Sequence, residues 1–149
     1  MPSVTVILAQ REHLDLLAPL FNAYREFYRQ PPDVMRGREF LRERLEREES
    51  VVFLAMDEGN AVGFTQLYPS FDSVTMRPVW ILYDLFVTTT ARNRGVGKLL
   101  MERARQHAME TKAKGLILET AHDNHPAQRL YEQLGWKRDA AFHRYYLDV

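Results

Sequence analysis

Apolar positions along this chain change their spacing several times, and each change marks an element. Residues 3–8, SVTVIL, alternate and are β-branched, which predicts a strand. From Arg11 to Tyr28, the positions Leu14, Leu17, Ala18, Phe21, Tyr24 and Tyr28 recur at helical spacing. The segment QPPD at 30–33 stops that helix. A second helix is expected from Gly37 to Glu49, with Phe40, Leu41 and Leu45 inward and charges alternating in sign, such as Glu43 and Arg47 one turn apart. Residues 51–71 read as two strands joined by the Glu-Gly-Asn turn at 58–60. VWILYDLFV at 79–87 is almost continuously apolar, the mark of a strand buried on both faces. A helix is then expected from Gly95 to Lys112, with Val96, Leu100, Ala104 and Ala108 on one stripe. GLILET at 115–120 reads as another buried strand. A short helix follows at 126–135, opened by Pro126 and closed by Gly135. AFHRYYLDV at 141–149 reads as a last strand. The pattern predicts one mixed α/β domain over residues 1–149, with about seven strands and no repeat or linker.

Composition narrows the partners. Apolar residues make up 46% and charged residues 27% of the 149, the balance of a soluble globule. Twenty basic side chains face twenty acidic ones, so no global field argues for nucleic acid or an anionic membrane. The longest apolar run is too short for a bilayer span. The start, MPSVTVILAQREHLDLL, has no basic segment before its apolar stretch and does not read as a signal peptide. The cysteine count is zero, which excludes disulfides, thiolate metal sites and a cysteine nucleophile. A cytoplasmic location is the expectation. His122 and His125 in HDNH invite a metal reading, but no cysteine backs them and they precede a helix start, so no metal is expected.

The chemistry concentrates in VTTTARNRGVGKLL, residues 87–100. A strand, a turn with Gly95 and Gly97, and then a helix make an anion site, because the first N–H groups of a helix lack intrahelical partners. Arg92, Arg94 and Lys98 surround it with positive charge. The spacing is wrong for a P-loop, since one residue separates the glycines and Leu99 follows Lys98. It is also wrong for a dinucleotide fingerprint, whose third glycine would fall at Leu100.

RNRGVG at 92–97 resembles the Arg/Gln-x-x-Gly-x-Gly/Ala signature of the GNAT superfamily of N-acetyltransferases. NHPAQRLYEQLGW at 124–136 resembles that family's second signature, with Trp136 where Phe is usual. Looser similarities in YREFY (24–28), AVGFTQLYP (61–69), YDLFV (83–87) and HRYYL (143–147) point to the subgroup with fungal histone and polyamine acetyltransferases and diamine acetyltransferases. The resemblance implies a GNAT-like domain, a mixed and mostly antiparallel sheet flanked by helices. It implies acetyl-CoA as co-substrate. The pyrophosphate would lie on the turn Arg92, Asn93, Arg94, Gly95, Val96, Gly97 and Lys98, and the pantetheine arm on the backbone of Leu85, Phe86 and Val87. A backbone amide at or near Leu85 would polarise the thioester carbonyl. Asn124 matches the asparagine that touches the CoA arm, and Tyr131 the general acid that protonates the leaving thiolate.

The base is less clearly marked. Where related diamine acetyltransferases carry a glutamate, this chain has Tyr83, leaving Asp84, Glu119 or a water chain as candidates. Asp84 is the only charge in its strand, and a buried acid there costs energy unless it is paired. In the family the first helices wall the acceptor pocket, which puts Tyr24, Tyr28, Tyr68 and Phe71 in its lining together with Tyr83 and Asp84. The expected function is direct acetyl transfer to a primary amine of a small molecule, polyamine or amino-acid-like. A protein lysine acetyltransferase and a non-catalytic acyl-CoA-binding module are the alternatives, and a nucleotide-binding protein is a more distant one. The aromatic C-terminal segment suits a homodimer contact.

Overall fold

The computed structural model describes residues 3–149, so Met1 and Pro2 of the expected domain lie outside the described residues. In chain order the elements are β1 (Val4–Leu8), a 3-10 turn (Arg11–His13), α1 (Leu14–Phe27), α2 (Val34–Glu46), β2 (Val51–Asp57), β3 (Asn60–Asp72), β4 (Arg77–Val87), a 3-10 turn (Thr89–Ala91), α3 (Val96–Glu110), β5 (Leu116–Ile117) and α4 (His125–Gln133). The chain divides into two compact units, Met1–Leu118 and Glu119–Val149. The first holds the sheet and α1 to α3; the second holds α4.

Helix α1 forms where the helical apolar spacing predicted it, and it buries Leu14, Leu17, Ala18, Leu20 and Phe21. Helix α2 starts three residues before the expected Gly37. Asp33 is more than part of a stop signal: its Oδ1 accepts the Arg36 N–H at 3.1 Å and caps the helix, while Asn22 Oδ1 accepts the Asp33 N–H at 2.9 Å. Leu41 is fully buried, but Phe40 is 38% exposed, stacked on Phe21 at 5.9 Å and covered by the Arg44 guanidinium at 4.7 Å. Gly37 takes the inward place, where a Cβ would stand 3.1 Å from Phe21 Cδ2.

The sheet runs β1-β2-β3-β4-β5, with three antiparallel pairs and a parallel β4–β5 pair. Its even-numbered β2 residues Val52 and Leu54 join Leu14, Leu17, Leu41 and Phe64 in the core beneath α1 and α2. Phe53 faces the other way, 5.6 Å from the His107 ring on α3, where Leu100, Met101 and Ala104 are also buried. Full burial of each large side chain contributes roughly 1.5–3 kcal/mol.

A bulge in the β3–β4 ladder explains the nearly unbroken apolar run of β4. Gln66 pairs with Asp84 but Leu67 pairs with Leu82, leaving Tyr83 as the extra residue. The bulge reverses which parity faces which side. Trp80 packs on His107 of α3 at 4.8 Å, whereas Phe86 meets Tyr24 of α1 at 6.3 Å. The strand is therefore not buried throughout: Val79, Leu82 and Asp84 are buried, but Tyr83 is 61% exposed.

Among the described residues five strands form, not about seven. The expected strand 115–120 shrinks to Leu116–Ile117, which pairs only with Trp80 and Ile81. Residues 141–149 form no strand; no ladder partner lies opposite them among the described residues, and Phe142, Tyr145, Tyr146 and Leu147 are exposed. Strand propensity alone does not make a strand without a neighbour to accept its hydrogen bonds. His107 of α3 is half-buried between Phe53 and Trp80, and burial lowers its pKa.

Candidate active site

The end of β4 is open on one side. Pairing with β5 stops at Ile81, so beyond it β4 has a ladder partner only in β3 among the described residues. Antiparallel pairs alternate between hydrogen-bonded and non-hydrogen-bonded positions. Thr88 N–H donates to Val62 O at 2.9 Å, which turns the polar groups of Phe86 toward β3 and those of Leu85 and Val87 to the open edge. Val87 O there accepts Arg92 Nε at 3.1 Å. Gly63 lets the two strands approach closely at this point: a Cβ would lie 2.9 Å from Phe86 O.

The chain leaves that edge through the glycine turn. Asn93 (φ 62°) and Gly95 (φ 78°) adopt the left-handed conformation, which glycine accepts at no steric cost. Gly95 is the N-cap of α3 and offers no side chain to its first turn, so the N–H groups of Val96, Gly97 and Lys98 are without intrahelical acceptors. The three cations expected around the turn differ. Arg92 lies over the Phe86 ring at 5.8 Å while holding Val87 O. Arg94 is committed to Asp57 at the end of β2, Nη2 to Oδ2 at 3.0 Å. Lys98 is exposed and has no ion-pair partner among the described residues.

Asp84 is 3% exposed. Gln66 Nε2 donates to its Oδ2 at 2.5 Å, and Thr65 Oγ1 donates to its backbone O at 2.8 Å. Burial pushes the Asp84 carboxyl above the usual carboxylate range, and bonds from Gln66 and Tyr24 pull it partly back. The Tyr24 hydroxyl also lies 3.5 Å from Tyr83 O. Burial and the nearby Asp84 charge push the phenols of Tyr24 and Tyr68 up. Rings extend the cluster: Tyr24 meets Tyr28 at 5.1 Å, and Tyr68 meets Tyr83 at 5.4 Å. The structure thus gathers Tyr24, Tyr28, Tyr68, Tyr83 and Asp84. Phe71 lies farther along β3, paired with Pro78 and 79% exposed, with no ring contact.

The second unit carries the remaining candidates. Asn124 is the N-cap of α4, its Oδ1 accepting the Ala127 N–H at 3.4 Å. Tyr131 lies half-buried on α4 with its ring 6.2 Å from Trp136. Glu119 is exposed and ion-paired with Arg144. No group of three or more His, Asp or Glu side chains suited to a metal occurs among the described residues, and no helix there is long and apolar enough to cross a membrane.

Two contributors escaped the sequence reading. Gln66 is the polar partner of Asp84, and a glutamine inside the apolar run VGFTQLYP is the mark that could have singled it out. Asp57 anchors the glycine turn, but in the sequence it looks like any acidic residue at a strand end.

Residues 17–136 match the family described as Acetyltransferase (GNAT) family. The uncharacterized N-acetyltransferase YhfO of Bacillus subtilis (strain 168) is 49% identical over 133 residues, 89% of each chain. A crystal structure of a probable acetyltransferase superposes with a TM-score of 0.93 at 44% identity, over 97% of each chain. The D-amino-acid N-acetyltransferase HPA3 of Saccharomyces cerevisiae is 33% identical over 88 residues, 59% of this chain and 55% of its own. Enzymes of this fold family use acetyl-CoA as the acetyl donor. Glycine turn, open strand edge and these likenesses converge, and the chain belongs to the GNAT family of acetyltransferases.

Proposed function

We propose that this enzyme, working as a single domain over residues 1–149, transfers an acetyl group from acetyl-CoA directly to a primary amine of a small molecule, polyamine or amino-acid-like. The observation that carries this reading is the junction of an open β4 edge, a helix start with unpartnered N–H groups, and a buried carboxylate one residue from that edge's Leu85. The open edge suits an extended amide-bearing arm, as an added strand would pair. The turn suits a pyrophosphate: Val96, Gly97 and Lys98 offer backbone N–H groups, Asn93 and Gly95 shape the approach, and Lys98 adds charge, with Arg92 and Arg94 bracing the loop.

Acetyl-CoA supplies an activated thioester. Leu85 N–H, turned to the open edge, is the donor for charge developing on the carbonyl oxygen. Asp84 receives the proton that the ammonium must lose before its nitrogen attacks; its raised pKa makes it a stronger base than an ordinary carboxylate. Tyr131 gives a proton to the leaving sulfur as the C–S bond breaks, and Asn124 contacts the CoA arm. The Arg144 ion pair occupies Glu119 and favours Asp84 over it as the base. Tyr24, Tyr28, Tyr68 and Tyr83 line the acceptor side of Asp84. The exposed aromatic residues of 141–149 supply a homodimer contact, and the zero cysteine count suits a reducing cytoplasm.

The test is a thiol-release assay with acetyl-CoA against polyamines, amino acids, aminoglycosides and basic peptides. One small-molecule class standing well above the rest is expected. A basic peptide as the sole strong acceptor would replace this reading with protein acetylation. Acetyl-CoA binding without turnover on any amine would favour a binding module. A monomeric mass in solution scattering would refute the dimer.

A further inference from the structure

Four tyrosines and one buried carboxylate make an unequal acceptor site: broad apolar and π surface, but a single negative charge. Tyr24 of α1 and Tyr28, the residue that ends that helix, form an edge-on pair, and Tyr68 of β3 and Tyr83 of β4 form another. The Tyr24 hydroxyl at Tyr83 O joins the two pairs. Tyr28 is 51% and Tyr83 61% exposed, so the aromatic surface is open to a ligand. Asp84 is the only buried carboxylate among the described residues, and Tyr24 and Tyr68 both lie close enough to feel its charge. The other charge reaching Tyr68 has the opposite sign: it is the Arg44 guanidinium, whose own carboxylate partners, Glu43 and Glu49, are held at 3.3 and 3.0 Å.

We propose that this site takes a primary amine carrying one positive charge on an apolar or aromatic skeleton, in preference to a diamine or polyamine. The inference rests on the reading that the chain acetylates a small-molecule amine beside Asp84. One ammonium finds the carboxylate and the electron-rich ring faces. A second ammonium a few carbons away leaves water for aromatic surface and a guanidinium that already holds Glu43 and Glu49, with no second buried carboxylate among the described residues to repay its desolvation. An aryl or branched alkyl group gains burial against the same rings.

The experiment measures kcat/KM of the full chain with acetyl-CoA for 2-phenylethylamine, butylamine, putrescine and spermidine, with acetyl-CoA affinity measured separately by calorimetry. The expected order places 2-phenylethylamine first and both polyamines last, with at least about a tenfold span, the discrimination that a hydrophobic pocket provides. Tyr28→Ala and Tyr83→Ala, at exposed positions, lower kcat/KM for 2-phenylethylamine more than for butylamine and leave acetyl-CoA affinity unchanged. Putrescine or spermidine equalling 2-phenylethylamine would overturn the inference while leaving acetyl transfer intact. So would equal losses on both monoamines in the tyrosine variants, or acetyl-CoA binding with no turnover of any of the four. Absence of acetyl-CoA binding would overturn the underlying reading as well.

Discussion

Gln66 Nε2 donates to Asp84 Oδ2 at 2.5 Å across the β3–β4 ladder, directly at the step where Tyr83 bulges out. Both side chains are buried, so the amide is one of the few groups that stabilise the charged carboxylate in place of water. Desolvation raises the Asp84 pKa, and the Gln66 bond lowers it. Together with the weaker Tyr24 bond, these opposing effects set the pH at which this group can accept a proton.

Gln66→Leu removes the donor and keeps the volume. A hydrogen bond to a charged group is worth about 1.5–3 kcal/mol, which corresponds to roughly one to two pH units. The acid limb of kcat/KM against pH should move up by that amount. An unmoved limb would mean that a group other than Asp84 governs it.

Asp84→Asn separates stability from activity. The folded pKa of Asp84 lies above its unfolded value, so its favourable contribution is present below the ordinary carboxylate range and lost as pH rises through the folded pKa. Once Asp84 ionises, above its folded pKa, the wild type holds a desolvated charge that asparagine does not carry. The variant should melt at the same or a higher temperature than wild type at pH 8, and the two should converge at low pH. A variant markedly less stable at pH 8 would show that the ionised carboxylate is a net structural asset.

Much of this architecture was legible in the chain. The helical spacing located α1 and α3, and the glycine turn with its flanking strand and helix formed where RNRGVG predicted. Three features were not legible, for different physical reasons. Asp33 acts as a helix cap through a local bond that a stop-signal reading of QPPD passes over. The bulge at Tyr83 depends on register between two strands, and no periodicity within one strand encodes it. The C-terminal residues have strand composition but no ladder partner among the described residues. At the site, Asp84 stood out as a lone charge in an apolar run, whereas its partner Gln66 came from another strand and became meaningful only once the register was known.

Gly95→Ala tests the turn. A left-handed conformation costs a residue with a Cβ about 1–2 kcal/mol, and Gly95 sits at φ 78° with open space around it. Strain, not a clash, is therefore the expected penalty. Thermal unfolding should show a loss of that size, and calorimetry should show weaker acetyl-CoA binding as the first N–H groups of α3 shift. Weaker stability with unchanged affinity would remove the turn from the pyrophosphate site.

Tyr131→Phe keeps the ring that packs near Trp136 and removes the hydroxyl. As a general acid it should lower kcat by about a hundredfold or more while acetyl-CoA affinity changes little. Equal loss of turnover and affinity would make Tyr131 a binding residue.

Leu41→Ala tests the core beneath α2. Leu41 is fully buried among Leu14, Leu17 and Phe64. The substitution should cost about 2–5 kcal/mol in denaturant unfolding. A cost below about 1 kcal/mol would mean that α2 is only loosely docked on the sheet.

Counting products tests acetyl transfer to an amine with Asp84 as the base. Wild type and Asp84→Asn are each incubated with acetyl-CoA and the best amine, and free thiol and acetylated amine are measured together by colorimetry and mass spectrometry. Wild type should give equal amounts of the two products. Asp84→Asn should lower both by about a hundredfold or more, at unchanged acetyl-CoA affinity. Thiol released without acetylated amine, or an Asp84→Asn enzyme as fast as wild type, would contradict that mechanism.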